Sequence, residues 1–416
     1  MDQLLTRHSE PTAREVLRHL PGLLIEGAQQ VGKTTLALQL IDGIPGALLL
    51  DMEDAKTRAA AREDPVGFVA QAVGSLMVID EIQRVPDLVP AVLAAIDADP
   101  RPGRFIITSS SSLTRAGVTP DALAARVGRL HLYGFSQGEL TSGRDDFVHA
   151  LLSAERPTSF ASTLSRAAYA RLLEAGSYPD ACDLFEHKRQ RWLDDYVQGL
   201  VRRQMPQLRR IFLPDRAMSL LHILAADQAG ELVKSRLAEE ADIPPTTIDG
   251  YLDLLADTWL FATLPPWSPK LSDRELVRPK GFVIDTGLAA RLYRITAEQL
   301  CTINFAEAFV GSLQAFVAGE LLKQGTWTIK PYTLFHYRDR MGAQVDLVMQ
   351  LADGRIIGIE VRTTSAFQAP QFKRLQALRD KLGDRFAAGV VLNTGQHGYP
   401  HDDRLYGLPV SALWQL

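Results

Sequence analysis

Gly27-Ala28-Gln29-Gln30-Val31-Gly32-Lys33-Thr34, followed by Thr35, is the stretch whose reading decides the fold. It spells G-x-x-x-x-G-K-[ST] directly after the apolar run Leu23-Leu24-Ile25. A buried strand that ends in a glycine-rich turn and opens into a helix directs a row of backbone N–H groups at one anion. Gly27 and Gly32 supply a tight backbone tolerant of left-handed conformations. Lys33 is placed to reach β- and γ-phosphates and Thr34 to hold Mg²⁺, while Leu36, Leu38 and Leu40 belong to the following helix. At ordinary residue frequencies a chance match of this kind arises in about one per cent of chains this long.

The second half of a nucleotide site follows. Leu76-Met77-Val78-Ile79 reads as a buried parallel strand, and it ends in Asp80-Glu81. Two adjacent carboxylates at a buried strand end are costly unless they are used. Asp80 suits the Mg²⁺ shell, and Glu81 suits polarisation of a water that attacks the γ-phosphate. A third strand, Phe105-Ile106-Ile107-Thr108, runs into Ser109, Ser110, Ser111 and Ser112. A hydroxyl here can bridge water and γ-phosphate; Thr108, Ser109 and Ser110 are all candidates.

The chain has 416 residues, a net charge of −4 and two cysteines, Cys182 and Cys301. That length implies two to four domains. The charge gives no global basic footprint, so any nucleic-acid contact is local. Two cysteines provide neither a disulfide framework nor metal-ligand spacing. The amino terminus lacks a signal-type apolar region and no apolar stretch approaches membrane-spanning length, so a cytoplasmic protein without membrane contact is expected.

Residues 1–150 alternate strands (Leu23–Glu26, Ala47–Asp51, Leu76–Asp80, Phe105–Ser109, Leu130–Leu132) with helices, the pattern of a doubly wound parallel α/β sheet. Residues 151–215 read as amphipathic helices, a lid or connector, with Arg189, Arg191, Arg202, Arg203, Arg209 and Arg210 clustered there. Residues 216–268 read as a winged helix: helices over Ala217–Ala226, Ser235–Ala241 and Pro244–Thr258, then a wing from Trp259. The third helix carries Asp249, Asp253 and Asp257 and no basic residue. Phosphate contacts dominate DNA affinity, so this helix suits packing or oligomer formation better than DNA reading. Prolines 265, 266 and 269 read as a linker.

Residues 275–416 return to α/β, with a strand at Phe282–Asp285, a helix over Glu307–Lys323, and strands around Leu334–Tyr337, Gln344–Gln350, Ile356–Val361 and Gly389–Leu392. Glu307, Asp346 and Glu360 form a second set of acids, with Arg362 two residues beyond the last. This is the layout of PD-(D/E)-x-K nucleases, whose carboxylates hold Mg²⁺ and whose lysine orients water. Here arginine stands for that lysine, and a rigid guanidinium fork replaces a compact ammonium poorly. A nuclease-like fold kept for packing or partner binding is the expectation.

Together GAQQVGKTT, VIDEIQRVPDL, PGRFIITSSSSL, LAARVGRL, AGSYPDA, PKGFVIDTGLAARL, GAQVDLV and IEVRTTS resemble a family of bacterial and archaeal AAA-type ATPases. Its members join an N-terminal P-loop ATPase domain to a C-terminal domain of unknown function with a restriction-endonuclease-like core. The resemblance implies ATP and Mg²⁺ at Lys33, Thr34, Asp80 and Glu81. It also implies that Arg126 senses γ-phosphate, from a neighbouring subunit of a homo-oligomer or ring. Three positions depart from the family: Ala28-Gln29 for proline-arginine, Ser109 for the glycine before the sensor serine, and Arg362 for lysine. The expectation is an ATP-hydrolysing switch or remodeller that controls a degenerate nuclease-like domain. An ATP-gated DNA nuclease, a DNA-binding ATPase and a nucleotide-dependent signalling module of negligible turnover are the alternatives.

Overall fold

The computed structural model describes residues 5–71, 74–113, 123, 125–143, 145–153, 160–208, 212–269, 277–338 and 342–416. It divides into two compact units, Met1–Phe135 with Asp257–Trp259, and Ser136–Ala256 with Leu260–Leu416. The first unit thus ends at Phe135, short of the expected 150. Arg209 and Arg210 of the arginine cluster lie outside the described residues.

The first unit is built on five strands: β1 (Gly22–Glu26), β2 (Leu48–Asp51), β3 (Met77–Asp80), β4 (Phe105–Ser109) and β5 (Val127–His131). All pairs are parallel and the order is β2-β3-β4-β1-β5. The apolar runs form central strands because both faces are covered: β1, β3 and β4 are buried throughout. β2 alternates half-buried and exposed residues, as an edge strand does. Helices start where polar caps allow it. Asp54 and Asp64 accept the N–H groups of Thr57 and Gly67 ahead of helices Ala55–Glu63 and Pro65–Ala70.

The two loop glycines serve different ends. Gly32 has φ +92°, the left-handed region expected of it. Gly27 does not; a Cβ there would lie 2.0 Å from the Leu132 carbonyl oxygen, so its reason is close approach to the end of β5. Along the helix Lys33–Ile41, Leu36 and Leu40 are buried while Leu38 is 45% exposed.

In the second unit, helices Pro214–Ala226, Lys234–Glu240 and Ile248–Asp257 accompany a three-stranded antiparallel sheet of β7 (Gly230–Glu231), β10 (Lys280–Val283) and β8 (Phe261–Leu264). The third helix starts at Ile248, not Pro244, because Pro244 and Pro245 lead into a turn closed by Thr247 N–H on the Pro244 carbonyl. The strand expected at Phe282–Asp285 belongs to this sheet and not to the C-terminal one.

An eight-stranded sheet follows the order β6-β15-β16-β14-β13-β12-β11-β9. Its strands are β6 (Phe160–Ala161), β9 (Pro266–Trp267), β11 (Tyr332–Arg338), β12 (Gln344–Leu351), β13 (Ile356–Val361), β14 (Phe386–Asn393), β15 (His397–Asp402) and β16 (Leu405–Pro409). Two expectations change. The stretch expected to be wholly helical contributes β6, and the proline linker contains β9, whose Trp267 is 1% exposed and donates from Nε1 to Gln350.

The helix Ala306–Gln324 packs Phe309, Leu313, Val317 and Leu321 into the core of this unit. The segment Ile303–Gln324 is long and apolar enough to cross a membrane by length and composition, contrary to expectation, but half of that window is buried inside the fold. Glu320, fully buried on this helix, accepts from Lys323 and from the Gln137 N–H. The strings AGSYPDA and FVIDTG meet at Asp285, whose carboxylate accepts the Ser177 N–H and hydroxyl and caps the next helix at Leu288. Gly176 and Gly287 face each other so closely that a Cβ on Gly287 would lie 2.7 Å from Gly176.

Candidate active site

Because β4 lies between β1 and β3, residues at its carboxyl end reach both the glycine loop and the acidic pair. Lys33, 4% exposed at the head of its helix, donates to the Ala28 carbonyl at 2.9 Å and lies 3.5 Å from Glu81 Oε1. Burial pulls its pKa down, against the attraction of Glu81 and Asp80. Thr34 donates its hydroxyl to Asp80 Oδ2 at 2.8 Å. Of the other loop residues, Ala28 and Val31 are buried, Gln29 and Thr35 half-buried, and Gln30 is exposed with φ +60°.

Thr108 joins the two acids. Its hydroxyl donates to Asp80 Oδ1 at 2.5 Å and accepts the Glu81 N–H at 2.9 Å. Glu81 itself sits at φ +58°, a strained backbone for a non-glycine residue at a strand end. Its Oε2 accepts from the Ser110 hydroxyl and from Gln83 Nε2, both at 2.5 Å. Burial works to raise the pKa of both acids, with different outcomes. At Asp80 it prevails over the hydrogen bonds from Thr108 and Thr34. At Glu81 the charge of Lys33 and the bonds from Ser110 and Gln83 outweigh burial, so its pKa is lowered. Glu81 is therefore a carboxylate at neutral pH, held by groups that favour its charge.

The three hydroxyl candidates now separate. Ser109 turns to Gln83 Oε1 at 3.0 Å and the Ser111 carbonyl at 2.6 Å, Ser110 touches the Glu81 carboxylate, and Thr108 binds the Asp80 carboxylate and the Glu81 backbone N–H. Gln83 and Arg7 had no assigned role in the sequence. Gln83 follows Glu81 closely enough for the acidic string to have pointed to it. Arg7 pins the loop by donating to the carbonyls of Val31 at 2.7 Å and Tyr133 at 2.8 Å, and no motif marks it. His131, at the end of β5, has its Nε2 out of water without a hydrogen-bond partner, though part of the residue stays accessible. Burial and the nearby Lys33 charge push its pKa down to about 3.

Arg126 is not brought to this site. It precedes β5, its carbonyl accepts the Gly22 N–H at the amino end of β1, and its guanidinium pairs with Asp97 at 2.6 Å. That edge is a full strand, about 15 Å, from the glycine loop. Among the C-terminal residues, Asp346, Glu360 and Arg362 come together, with Arg362 Nη1 2.9 Å from Asp346 and Nη2 paired with Glu360. Glu307 does not join them: it is exposed in the first turn of its helix, and among the described residues no group of three or more His, Cys, Asp or Glu could hold a metal. Burial and the Asp346 charge raise the Glu360 pKa, against Arg362 and Arg374.

Residues 21–141 match the family described as AAA domain. Most of that match falls within the first unit. Residues 166–299 and 311–413 match two families described as domains of unknown function, DUF8612 and DUF4143. Over 409 residues the chain is 28% identical to an uncharacterized protein of Mycobacterium tuberculosis, covering 98% of this chain and 84% of the relative. An uncharacterized protein of Mycobacterium bovis matches to the same extent. Among solved structures, RuvB of Thermotoga maritima is 18% identical with a TM-score of 0.30, covering 61% of this chain and 87% of RuvB. AMPPCP-bound DnaA of Aquifex aeolicus is 10% identical with a TM-score of 0.27, covering 60% and 85%. The AAA domain match brackets the glycine loop, both acids and the β4 hydroxyls.

Proposed function

We propose that the chain is an Mg²⁺-dependent ATPase acting as a switch or remodeller. The observation that carries this reading is the single network from Lys33 through Glu81 and Thr108 to Asp80 and Thr34. ATP would lie along the N–H groups of the glycine loop, with Lys33 neutralising its phosphates and Glu81 accepting a proton from the attacking water. Mg²⁺ would be held by Thr34 and Asp80, hard oxygen donors suited to it, and when bound it neutralises phosphate charge. Ser110 and Gln83 keep Glu81 aimed, and Thr108 keeps it on its strained backbone. Lys33→Ala should abolish nucleotide binding, whereas Glu81→Gln should retain ATP and stop phosphate release. Wild-type turnover by Glu81→Gln would remove Glu81 from the mechanism.

In the second unit, the three helices with their three-stranded antiparallel sheet support a winged-helix reading over roughly 214–283. DNA reading by its third helix is disfavoured, since Asp249 is paired with Lys234 and no base lies on that helix. The mixed sheet with Asp346 and Glu360 on neighbouring strands supports a nuclease-like core, and the arginine that bridges them supports degenerate chemistry. Nucleotide state would govern this second unit. Homo-oligomerisation in the cytoplasm, with Arg126 serving a neighbouring subunit, completes the proposal.

A further inference from the structure

Asp346 and Glu360 take no part in ATP chemistry, yet they are 5% and 0% exposed. β12 and β13 are antiparallel with Leu347 opposite Ile359, so Asp346 and Glu360 fall one step further along the same register. Arg362, two residues beyond Glu360, projects to the same face. Its Nη1 donates to Asp346 Oδ2 at 2.9 Å and to the Val361 carbonyl at 2.7 Å, and its Nη2 donates to Glu360 Oε2. Asp346 Oδ2 also accepts the Val361 N–H at 2.9 Å, and Arg374 stands 3.7 Å from Glu360 Oε2.

Two carboxylates are thus met by two guanidinium charges. A divalent cation at this place would need the same carboxylate lone pairs and would sit against two fixed positive charges. The donor set therefore does not fit Mg²⁺ or Mn²⁺ while Arg362 is present. Glu360 Oε1 is buried and makes no hydrogen bond, so one acceptor of the pair is left for a cation once the fork is removed. A lysine would put a single charge near one acid, whereas the arginine fork spans both.

We propose that Arg362 is an internal cation occupying the metal position of a nuclease-like site, so the native chain takes no divalent metal at Asp346 and Glu360. The proposal rests on the nuclease-like reading of this unit and is independent of the ATPase. The test is Mn²⁺ titration of the nucleotide-free, full-length protein, followed by electron paramagnetic resonance. The proteins are wild type, Asp346→Asn, Arg362→Lys, Arg362→Ala and Arg362→Ala with Asp346→Asn, each checked for folding by circular dichroism. Arg362→Ala or Arg362→Lys should gain one Mn²⁺ equivalent that wild type lacks and that Asp346→Asn removes. Arg362→Lys keeps a positive charge beside the acids and covers the case in which Arg362→Ala fails to fold.

A wild-type Mn²⁺ equivalent abolished by Asp346→Asn would overturn the internal-cation role while leaving the nuclease-like reading standing. No gain in either folded variant would overturn both. ATP turnover, measured separately, bears on neither result.

Discussion

Thr108→Val removes one oxygen from the candidate site and keeps the shape of the side chain. Two hydrogen bonds go with it, one accepted from the Glu81 N–H at 2.9 Å and one donated to Asp80 at 2.5 Å. A buried donor left unpaired costs about 1–3 kcal/mol, and a bond to a carboxylate contributes about 1.5–3 kcal/mol. The two are coupled through one atom, so a combined loss of about 2–4 kcal/mol is expected, read as a lower melting temperature of the first unit. Turnover is affected as well. Glu81 holds φ +58°, a conformation that costs about 1–3 kcal/mol and persists only where neighbours impose it.

Freed of Thr108, Glu81 should drift from its aim on the attacking water. Positioned acid–base catalysis contributes about 10²–10⁴-fold, so kcat should fall about 100-fold. Lys33 and the glycine loop are untouched, so ATP affinity should stay within about threefold. Phosphate release at saturating ATP, nucleotide titration and thermal melting read these three quantities. Thr108→Ser keeps the hydroxyl and should restore most of kcat; Ser109→Ala, whose hydroxyl faces Gln83 and Ser111, should cost less than about tenfold. If Thr108→Val melts lower but hydrolyses ATP at the wild-type kcat, Thr108 is structural only and the positioning argument fails.

Gly27→Ala places a Cβ 2.0 Å from the Leu132 carbonyl oxygen, so the loop must shift off β5 and ATP affinity should drop steeply; unchanged affinity would show that the loop tolerates the shift. His131 is neutral in the fold with a pKa of about 3 and titrates near 6.5 when unfolded. The unfolded state therefore binds more protons between those values, and stability falls as pH drops through that window, by about 2 kcal/mol at pH 5. His131→Phe should flatten the loss between pH 7.5 and 5 in denaturant titrations, and an unchanged slope would assign it to other groups. If Arg126 serves a neighbouring subunit, specific ATPase activity should rise with protein concentration, and Arg126→Ala should lower turnover more than binding; a concentration-independent rate would exclude that role.

What the sequence made legible was chemistry concentrated in contiguous residues. The glycine loop and Asp80-Glu81 were readable because a phosphate cradle and a strand-end acid pair need fixed spacings along one segment. The hydroxyl run after β4 was readable as a site but not residue by residue. Which of Thr108, Ser109 and Ser110 faces which acid depends on the position of β4 between β1 and β3, a nonlocal fact. Arg7 acts through backbone carbonyls that any sequence offers, and so carries no signature, whereas Gln83 was marked only by its place two residues beyond Glu81.

Strand partners were hidden for the same reason. Phe282–Asp285 was readable as a strand, but so short a run does not encode whether it pairs with Phe261–Leu264 or with the larger sheet. Pro266 pointed to a linker because proline lacks the ladder donor, yet β9 is the outermost strand of its sheet, where that donor is dispensable. Arg362 is the opposite case. A single residue type, in a spacing that calls for lysine, already carried the reading, and the structure adds the reason: one planar fork pairs with two buried carboxylates at once. Substitution at a motif position is thus informative in proportion to how many partners the native group must serve at once, and Arg362 serves two.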